Sequence, residues 1–297
     1  MESFKVLVKA SRPVGWSFGP ILYAIGLVHS PEHFTSVLRG PTVLLQLLSV
    51  SVPLSIIVFG MNDVYDYETD IRNPRKTVDG LEGTILDPSY HVTVITSAWI
   101  ATALILATSL SMVRRQNAVV VAMLLVLSWQ YSAPPFRLKE QPILDSLSNG
   151  AIIDFVYLAG YTAGGGSLDR RMLTLKGHIL GLCTAGVHAL GAVVDVDADA
   201  AVGQRTIATV FGPQIALVFG ATSYLFALLI ERHLSIFGVY LLGGLLVMVA
   251  PIVDPSLAHA AFQAVVYWTG AMSAIWFADK ASAAARRHLR STHEKSI

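Results

Sequence analysis

Long apolar segments recur along the whole chain, and each is close to the length that a bilayer requires. A transmembrane helix needs roughly 20 mostly apolar residues, and polar stretches separate the segments from one another. The candidates fall at 14–29, 41–61, 91–112, 116–131, 147–166, 173–194, 213–231, 234–252 and 258–279. The pattern therefore predicts an all-α fold, an integral membrane bundle of nine transmembrane helices, with residues 1–297 as a single domain.

The composition agrees with a membrane bundle and argues against a soluble one. The 297 residues are 54% hydrophobic and 14% charged, against about 25% charged in a typical soluble domain. The net charge of +1 gives no reason to expect a nucleic-acid partner. The single cysteine, Cys183, excludes an internal disulfide and is expected to be a small core residue. We predict a multi-pass membrane protein, with the lipid bilayer as its surroundings and no evident obligate protein partner.

The second apolar segment runs directly into a polar stretch that ends at Asp70. On a helix turning about 100° per residue, four of its side chains fall within about 100° of one another, and Glu68 falls on the far side. These four are Asn62, Asp63, Asp66 and Asp70. Carboxylates held so close raise one another's pKa unless a cation lies among them. Mg²⁺ that arrives with the phosphates of a substrate is the simplest such cation.

A second acidic cluster follows the sixth apolar segment. Asp195 and Asp199 lie about 40° apart on a helix, whereas Asp197 lies about 200° from Asp195. The helical spacing therefore predicts a D-x-x-x-D motif from which Asp197 is turned away. Two such clusters at two helix ends could hold two or three metal ions around one diphosphate.

The two clusters together resemble the paired signature of the UbiA superfamily of intramembrane prenyltransferases. The first reads N-D-x-x-D-x-x-x-D from Asn62, and the second reads D-x-x-x-D-x-x-x-G-x-x-T from Asp195 to Thr206. The run from Asn62 to Lys76 is most similar to the branch that contains the carotenoid (lycopene) elongases and their fungal relatives. The superfamily also includes terpene cyclases. The resemblance implies nine helices, a cytosolic site, Mg²⁺ as cofactor and an isoprenyl diphosphate as substrate.

The resemblance also assigns roles to particular residues. It implies that five carboxylates are catalytic and bind Mg²⁺: Asp63, Asp66, Asp70, Asp195 and Asp199. The stretch from Tyr131 to Lys139 resembles the family's Y-S-x-P-P-x-R-L-K loop, whose cations contact the diphosphate. Candidates for binding the diphosphate are Asn62, Arg72, Arg137, Lys139 and Arg205. Lipid anchoring is the alternative for the basic residues, and it is as good an explanation for Arg72.

Several other polar residues admit two interpretations. Asp154 lies within the fifth apolar segment, where an ionisable group is costly and often functional, and Tyr157 shares its face. The pair is predicted to supply a polar group to the cavity, with an interhelical structural role as the alternative. Arg12, in an Arg-Pro pair that resembles the family's entry to the first span, either reaches the site or only extends towards the membrane surface, and the second interpretation is favoured. Residues 71–90 are a possible cap loop, and residues 280–297 form a polar C-terminal tail.

Three functions fit these features. In the first, the enzyme ionises an isoprenyl diphosphate of the C15–C20 class, transfers the prenyl cation to a hydrophobic acceptor and releases pyrophosphate. In the second, the substrate's own double bonds capture the cation, as in a terpene cyclase that acts on farnesyl or geranylgeranyl diphosphate. In the third, the chain is a transporter or lipid-binding protein, which is disfavoured because its acids lie at helix ends and not at mid-membrane breaks.

Overall fold

The computed structural model describes residues 2–32, 34–37, 40–72, 85–169 and 176–294. All regular structure in these ranges is helical, which confirms the predicted all-α class. The main helices are α1 (Glu2–Ala10), α2 (Phe18–His29), α3 (Pro41–Tyr65), α4 (Tyr67–Asp70), α5 (His91–Ser111), α6 (Arg115–Ser132), α7 (Leu144–Ala163), α8 (Gly177–Val194), α9 (Val196–Ala201), α10 (Ile207–Phe211), α11 (Pro213–Glu231), α12 (Ile236–Val253) and α13 (Ala258–Glu294). Shorter helical turns occupy Pro13–Ser17, Phe34–Val37, Pro88–Tyr90, Leu138–Glu140 and Pro255–Leu257.

Five of these helices are long and apolar enough to cross a membrane, judged by length and composition within the described residues. They are α3, α5 with its preceding turn, α8, α11 and α12. Each predicted segment contains a helix, but α2 has only 12 residues, and the predicted count of nine spans is not confirmed. The polar tail is helical as far as Glu294, since α13 continues through it.

The helix that carries the first acidic motif is irregular just before the motif. Within α3, α-helix over Pro41–Ser49 and Val52–Ser55 is followed by a π-helical turn, Ile56–Gly60. Regular α-helix resumes only at Met61. A π-helical turn widens the helix and changes the direction of the side chains after it, and such turns are frequent at functional sites. The irregularity therefore marks the place where α3 turns its polar residues towards one side.

Glycines allow α7 to pack closely against the helices on two of its sides. A Cβ on Gly160 would lie 2.0 Å from the Tyr23 carbonyl oxygen of α2, so no larger residue fits there. On the other side, a Cβ on Gly150 would lie 2.3 Å from the Gly181 carbonyl oxygen of α8. Small residues at crossing points are typical of membrane helix bundles. Because α7 touches both α2 and α8, it joins the two halves of the bundle.

Each half of the bundle has its own apolar core. The first core extends from Leu22 to Ala163 and the second from Ile179 to Met272. The first core also encloses a buried polar chain, in which Tyr23 donates to Gln46 (2.8 Å) and Gln46 donates to Asn117 (3.0 Å). Asn117 in turn donates to the Ala159 carbonyl at 2.8 Å. These hydrogen bonds link α2, α3, α6 and α7, and thereby fix the helices whose ends carry the polar residues described next.

Candidate active site

The first acidic motif lies where α3 ends and the short helix α4 begins. The backbone leaves α-helical geometry at Asp66 (φ −101°, ψ 2°), in a sparsely populated region where active-site residues are often found. Helical hydrogen bonds nevertheless continue, since the Asp70 amide donates to the Asp66 carbonyl at 2.7 Å. Asp63, Asp66 and Asp70 are buried, whereas Glu68 is exposed. The predicted division of the motif into an inward face and an outward Glu68 is confirmed.

Asp63 forms an ion pair with an arginine from the start of the chain. Arg12 Nη2 lies 3.0 Å from Asp63 Oδ1, and the Arg12 guanidinium lies 4.9 Å from the centre of the Phe59 ring. Of the two interpretations of Arg12, this contact supports the one in which its side chain reaches the site. A buried carboxylate needs a counter-charge, and the Asp63 side chain is only 4% exposed. The Arg12-Pro13 pair before the first apolar segment was the sequence signal for this residue.

Asp66 contacts both cations of the loop between α6 and α7. Lys139 Nζ pairs with Asp66 Oδ2, and Arg137 Nη2 lies 3.5 Å from Asp66 Oδ1. Arg137 also pairs with Glu140 and lies 3.4 Å from the Tyr65 carbonyl oxygen. Arg137 and Lys139 thus lie together with a carboxylate of the first acidic motif, and their contact with a diphosphate stays a prediction.

The environment of these two cations differs. Burial lowers the pKa of Lys139, and the neighbouring Asp66 carboxylate opposes that effect. The hydrogen bond to Glu140 raises the pKa of Arg137. The Nε atoms of Arg12 and Arg137 are buried and have no hydrogen-bond partner among the described residues. Unused buried donors are costly, so this cluster is suited to an anionic ligand that can accept them.

Both arginines also have an unusual backbone conformation. Arg12 (φ 49°) and Arg137 (φ 43°) occupy the left-handed region, which non-glycine residues seldom adopt. Each such residue costs about 1–3 kcal/mol and persists only where its surroundings hold it in place. Because both side chains contact the first acidic motif, the strain coincides with the charged cluster.

The second acidic motif has the same arrangement of buried and exposed carboxylates. Helix α8 ends at Asp195 (φ −98°, ψ 1°), and α9 continues with Asp197 exposed and Asp199 buried. The Asp199 amide donates to the Asp195 carbonyl at 2.9 Å. The predicted outward direction of Asp197 is confirmed.

A buried aspartate fixes the segment that follows the second motif. Asp145, at the start of α7, is fully buried and accepts hydrogen bonds from the amides of Ser146 (2.7 Å) and Ile207 (2.9 Å). Because Ile207 begins α10, Asp145 anchors the chain just beyond the second motif to the helix that follows the cation loop. Its role is structural.

A hydrogen-bonded chain links the ends of α6, α7 and α8. His188 Nε2 lies 2.9 Å from the Tyr131 hydroxyl, and His188 Nδ1 lies 3.2 Å from Ser146 Oγ. The Tyr131 hydroxyl is within electrostatic range of Asp66, Asp145 and Arg12. His188 is therefore an interhelical histidine with both ring nitrogens in hydrogen-bond contact. The chain places both motif-bearing helix ends at the same end of the bundle.

The remaining candidates for diphosphate binding lie further out. Asn62 is half-buried and its carbonyl accepts the Asp66 amide at 2.9 Å. Arg72 is exposed, and its Nε donates to the Glu68 carbonyl at 2.8 Å. Arg205 is exposed in the connection between α9 and α10. Most of the possible cap loop, residues 73–84, lies outside the described residues.

Asp154 and Tyr157 are both in the middle of α7 but have different partners. Asp154 Oδ2 pairs with His178 Nδ1 at 2.7 Å, across the contact with α8. Asp154 Oδ1 is buried and has no hydrogen-bond partner in the described ranges. Tyr157 is fully buried, and its hydroxyl lies 2.8 Å from His29 Nδ1. Asp154 thus retains an unused acceptor within the bundle, whereas the Tyr157 hydroxyl is occupied.

The donor atoms of the two motifs fit a hard divalent cation. Among the described residues, no three His, Cys, Asp or Glu side chains are gathered into a ready metal cage, and the five predicted ligands are not one cluster. In this conformation the charges of Asp63 and Asp66 are balanced by Arg12, Arg137 and Lys139. Mg²⁺ prefers carboxylate oxygens and is usually held by one or two of them together with substrate phosphates. The separated carboxylates are consistent with that mode of binding.

An all-helical bundle with buried carboxylates and arginines at one end defines an intramembrane enzyme of the prenyltransferase class. The chain matches the UbiA prenyltransferase family over residues 17–284 and belongs to that family. It is 31% identical over 231 residues to the lycopene elongase/hydratase of Corynebacterium glutamicum, which covers 76% of each chain. The lycopene elongase/hydratase of Halobacterium salinarum is 29% identical over 242 residues, or 80% of this chain and 83% of that one.

Solved structures share the fold. A UbiA homolog from Archaeoglobus fulgidus bound to DMAPP and Mg²⁺ superposes with a TM-score of 0.64 at 18% identity, covering 91% of this chain and 99% of that one. The family membership establishes an intramembrane prenyltransferase.

Proposed function

We propose that this protein is a Mg²⁺-dependent membrane enzyme that ionises an isoprenyl diphosphate of the C15–C20 class and transfers the prenyl group to a hydrophobic acceptor, with release of pyrophosphate. The observation that carries the proposal is the charged cluster of Arg12, Arg137 and Lys139 against two buried carboxylates. Its cations and unused Nε donors suit a diphosphate. Its carboxylates suit the accompanying metal.

The residues at the two acidic motifs and in the cation loop would have separate roles in the reaction. Arg137 and Lys139 would move from Asp66 to the diphosphate and stabilise the negative charge that grows on it as the C–O bond breaks. Asp66 would then be free to bind Mg²⁺, together with Asp63 and Asp70 on one helix end and Asp195 and Asp199 on the other. Mg²⁺, when bound, would polarise the leaving group as a Lewis acid.

The acceptor is inferred to be a hydrocarbon. The two relatives described above are named for lycopene, and the described bundle contains two extended clusters of buried apolar side chains. A carbon–carbon double bond of the acceptor would capture the allylic cation, and the new cation would then lose a proton. Helix packing around the site would exclude water, which would otherwise quench the cation.

Asp154 is the proposed acceptor of that proton, because its Oδ1 is buried in the bundle and unused. Asp154→Asn keeps the size of the side chain and the pairing atom towards His178 but removes the base. We expect a changed product or a rate reduced at least about tenfold, with normal membrane insertion. Cys183→Ala, a substitution at another buried position, is the control. A wild-type rate and product profile for Asp154→Asn would remove Asp154 from the mechanism.

The test of the function uses purified protein with Mg²⁺ and farnesyl or geranylgeranyl diphosphate, with and without lycopene, and follows pyrophosphate and extractable products. Pyrophosphate release that depends on lycopene, with prenylated lycopene as product, is the expected result. A cyclic hydrocarbon formed without acceptor would instead establish the terpene cyclase. No turnover with lycopene, quinones or phenols, despite bound diphosphate, would contradict both reactions.

A further inference from the structure

A cavity lies at the end of the bundle opposite the acidic motifs. It has a volume of about 390 Å³, within the range of small-molecule sites, and is formed where α2, α8, α12 and α13 meet. Lys176 lines it just before the start of α8, whereas Asp195 lies at the other end of the same helix. Eighteen residues of α-helix separate the two by about 27 Å. The charged rim of the cavity therefore lies far from the two acidic motifs.

The cavity has an apolar interior and a charged rim. Ile25, Leu180, Phe237 and Met272 line the interior. At the rim, Lys176 lies just before α8, whereas Lys280 and Asp279 lie on α13, and both lysines are within electrostatic range of His29. This distribution of side chains matches a ligand with an anionic head and an apolar chain.

The two lysines are held by aromatic rings but remain accessible. Lys176 Nζ lies 5.4 Å from the centre of the Phe237 ring, and Lys280 Nζ lies 5.6 Å from that of Trp276. Their side chains are 44% and 47% exposed. Lysines next to aromatic rings are typical of the membrane–water boundary.

The acidic neighbours leave the rim able to bind an anion. Lys280 pairs with the adjacent Asp279 at 3.4 Å, and both side chains are more than 40% exposed, so that pair contributes little. Lys176 pairs with Glu231 at 2.7 Å, and Glu231 is almost fully buried. Glu231 also accepts from Ser235 Oγ at 2.9 Å. Glu231 therefore reduces the attraction of Lys176 for an anion and fixes the position of its amine.

We propose that this cavity binds an anionic glycerophospholipid from the bilayer, with the phosphate at Lys176 and Lys280 and an acyl chain between the four helices. Basic pockets between membrane helices bind anionic head groups in this way. The bilayer is the source because the outer face of α13 is apolar and open, with Ile275 51% exposed and Tyr267 75% exposed. A lipid can therefore enter sideways between helices.

The test measures lipid binding to the purified full-length protein by native mass spectrometry in detergent, with dioleoyl phosphatidylglycerol and dioleoyl phosphatidylcholine as probes. We expect the wild type to bind one phosphatidylglycerol in preference to phosphatidylcholine. The double variant Lys176→Gln/Lys280→Gln is expected to weaken phosphatidylglycerol binding by about tenfold and to leave phosphatidylcholine unchanged. Arg232→Gln, an exposed arginine at the end of α11 outside the cavity lining, is the matched control and is expected to retain the preference.

Two further variants sharpen the result. Glu231→Gln removes the charge that neutralises Lys176, and we expect phosphatidylglycerol to bind several-fold more tightly. Ser273→Phe fills the cavity and is expected to abolish the tight site for both lipids, with size-exclusion chromatography as the check on folding. Equal binding of the two lipids, a double variant that keeps the preference, or displacement of phosphatidylglycerol by farnesyl monophosphate would overturn the proposal.

Discussion

The two acidic motifs have nearly the same backbone but different surroundings. Asp66 and Asp195 share almost identical dihedral angles (φ −101°, ψ 2° and φ −98°, ψ 1°). Two residues later each motif has an exposed carboxylate, and four residues later a buried one. Asp66 therefore corresponds to Asp195, Glu68 to Asp197, and Asp70 to Asp199.

The correspondence ends on the N-terminal side of the motifs. Where the first motif has Asn62 and Asp63, the same register gives Gly191 and Ala192 in the second. The extra carboxylate, Asp63, is the one that pairs with Arg12. The same backbone conformation thus occurs in both motifs. The first motif has an additional carboxylate, Asp63, whose counter-charge comes from a distant part of the chain. The predictions below test whether function depends on the backbone conformation that the two motifs share or on the additional carboxylate, Asp63.

The largest effect is expected at two buried carboxylates, one from each motif. Asp66→Ala and Asp199→Ala are each expected to reduce pyrophosphate release by at least about 10³-fold, because each removes a charge that acts on the leaving group. Steady-state assays on purified variants measure this, with circular dichroism as the check on folding. Substantial activity in one variant only would show that the motifs are not functionally equivalent.

An intermediate effect is expected when the ion pair between Arg12 and Asp63 is broken. Arg12→Gln and Asp63→Asn are each expected to lower kcat/KM by about 10–100-fold, since each leaves its partner as an unmatched buried charge. The double variant Arg12→Gln/Asp63→Asn is expected to be no worse than the poorer single variant. A double-mutant cycle on kcat/KM measures the coupling, and strictly additive effects would show that the ion pair does not act as a unit.

A smaller effect is expected where the second motif is anchored. Asp145→Asn leaves one of the two amides, Ser146 or Ile207, without its acceptor, at a cost of about 1–3 kcal/mol. We expect a thermal midpoint lower by several degrees and a KM for the diphosphate raised a few-fold. Asp254→Asn, at an exposed cap of Ser256, is the control. A stable variant with unchanged KM would separate Asp145 from the second motif.

The smallest effect is expected at the two exposed acids. Glu68→Ala and Asp197→Ala are each expected to retain activity within about twofold of the wild type, because neither side chain lies on the buried face of its helix. The same pyrophosphate assay measures both. If Asp197 proved as essential as Asp199, the facial interpretation of the second motif would be wrong.

The helical class and the direction of each motif carboxylate follow from the sequence alone, because both depend on local periodicity. Apolar segments of bilayer length specify helices, and a rotation of about 100° per residue separates Asp66 from Glu68 and Asp199 from Asp197. The family signature likewise lies within short stretches of chain. These features require no knowledge of which helices touch.

The partners of those carboxylates were decided by the tertiary structure. Arg12 meets Asp63 across 51 residues, and Asp145 meets Ile207 across 62. Such contacts depend on how closely helices approach one another, which here is set by glycines such as Gly160 and Gly150 against backbone atoms of neighbouring helices. The cavity between α2, α8, α12 and α13 also depends on such contacts, since its two rim lysines, Lys176 and Lys280, lie far apart in the chain. Periodicity fixes the face of a helix, but only packing determines what lies opposite that face.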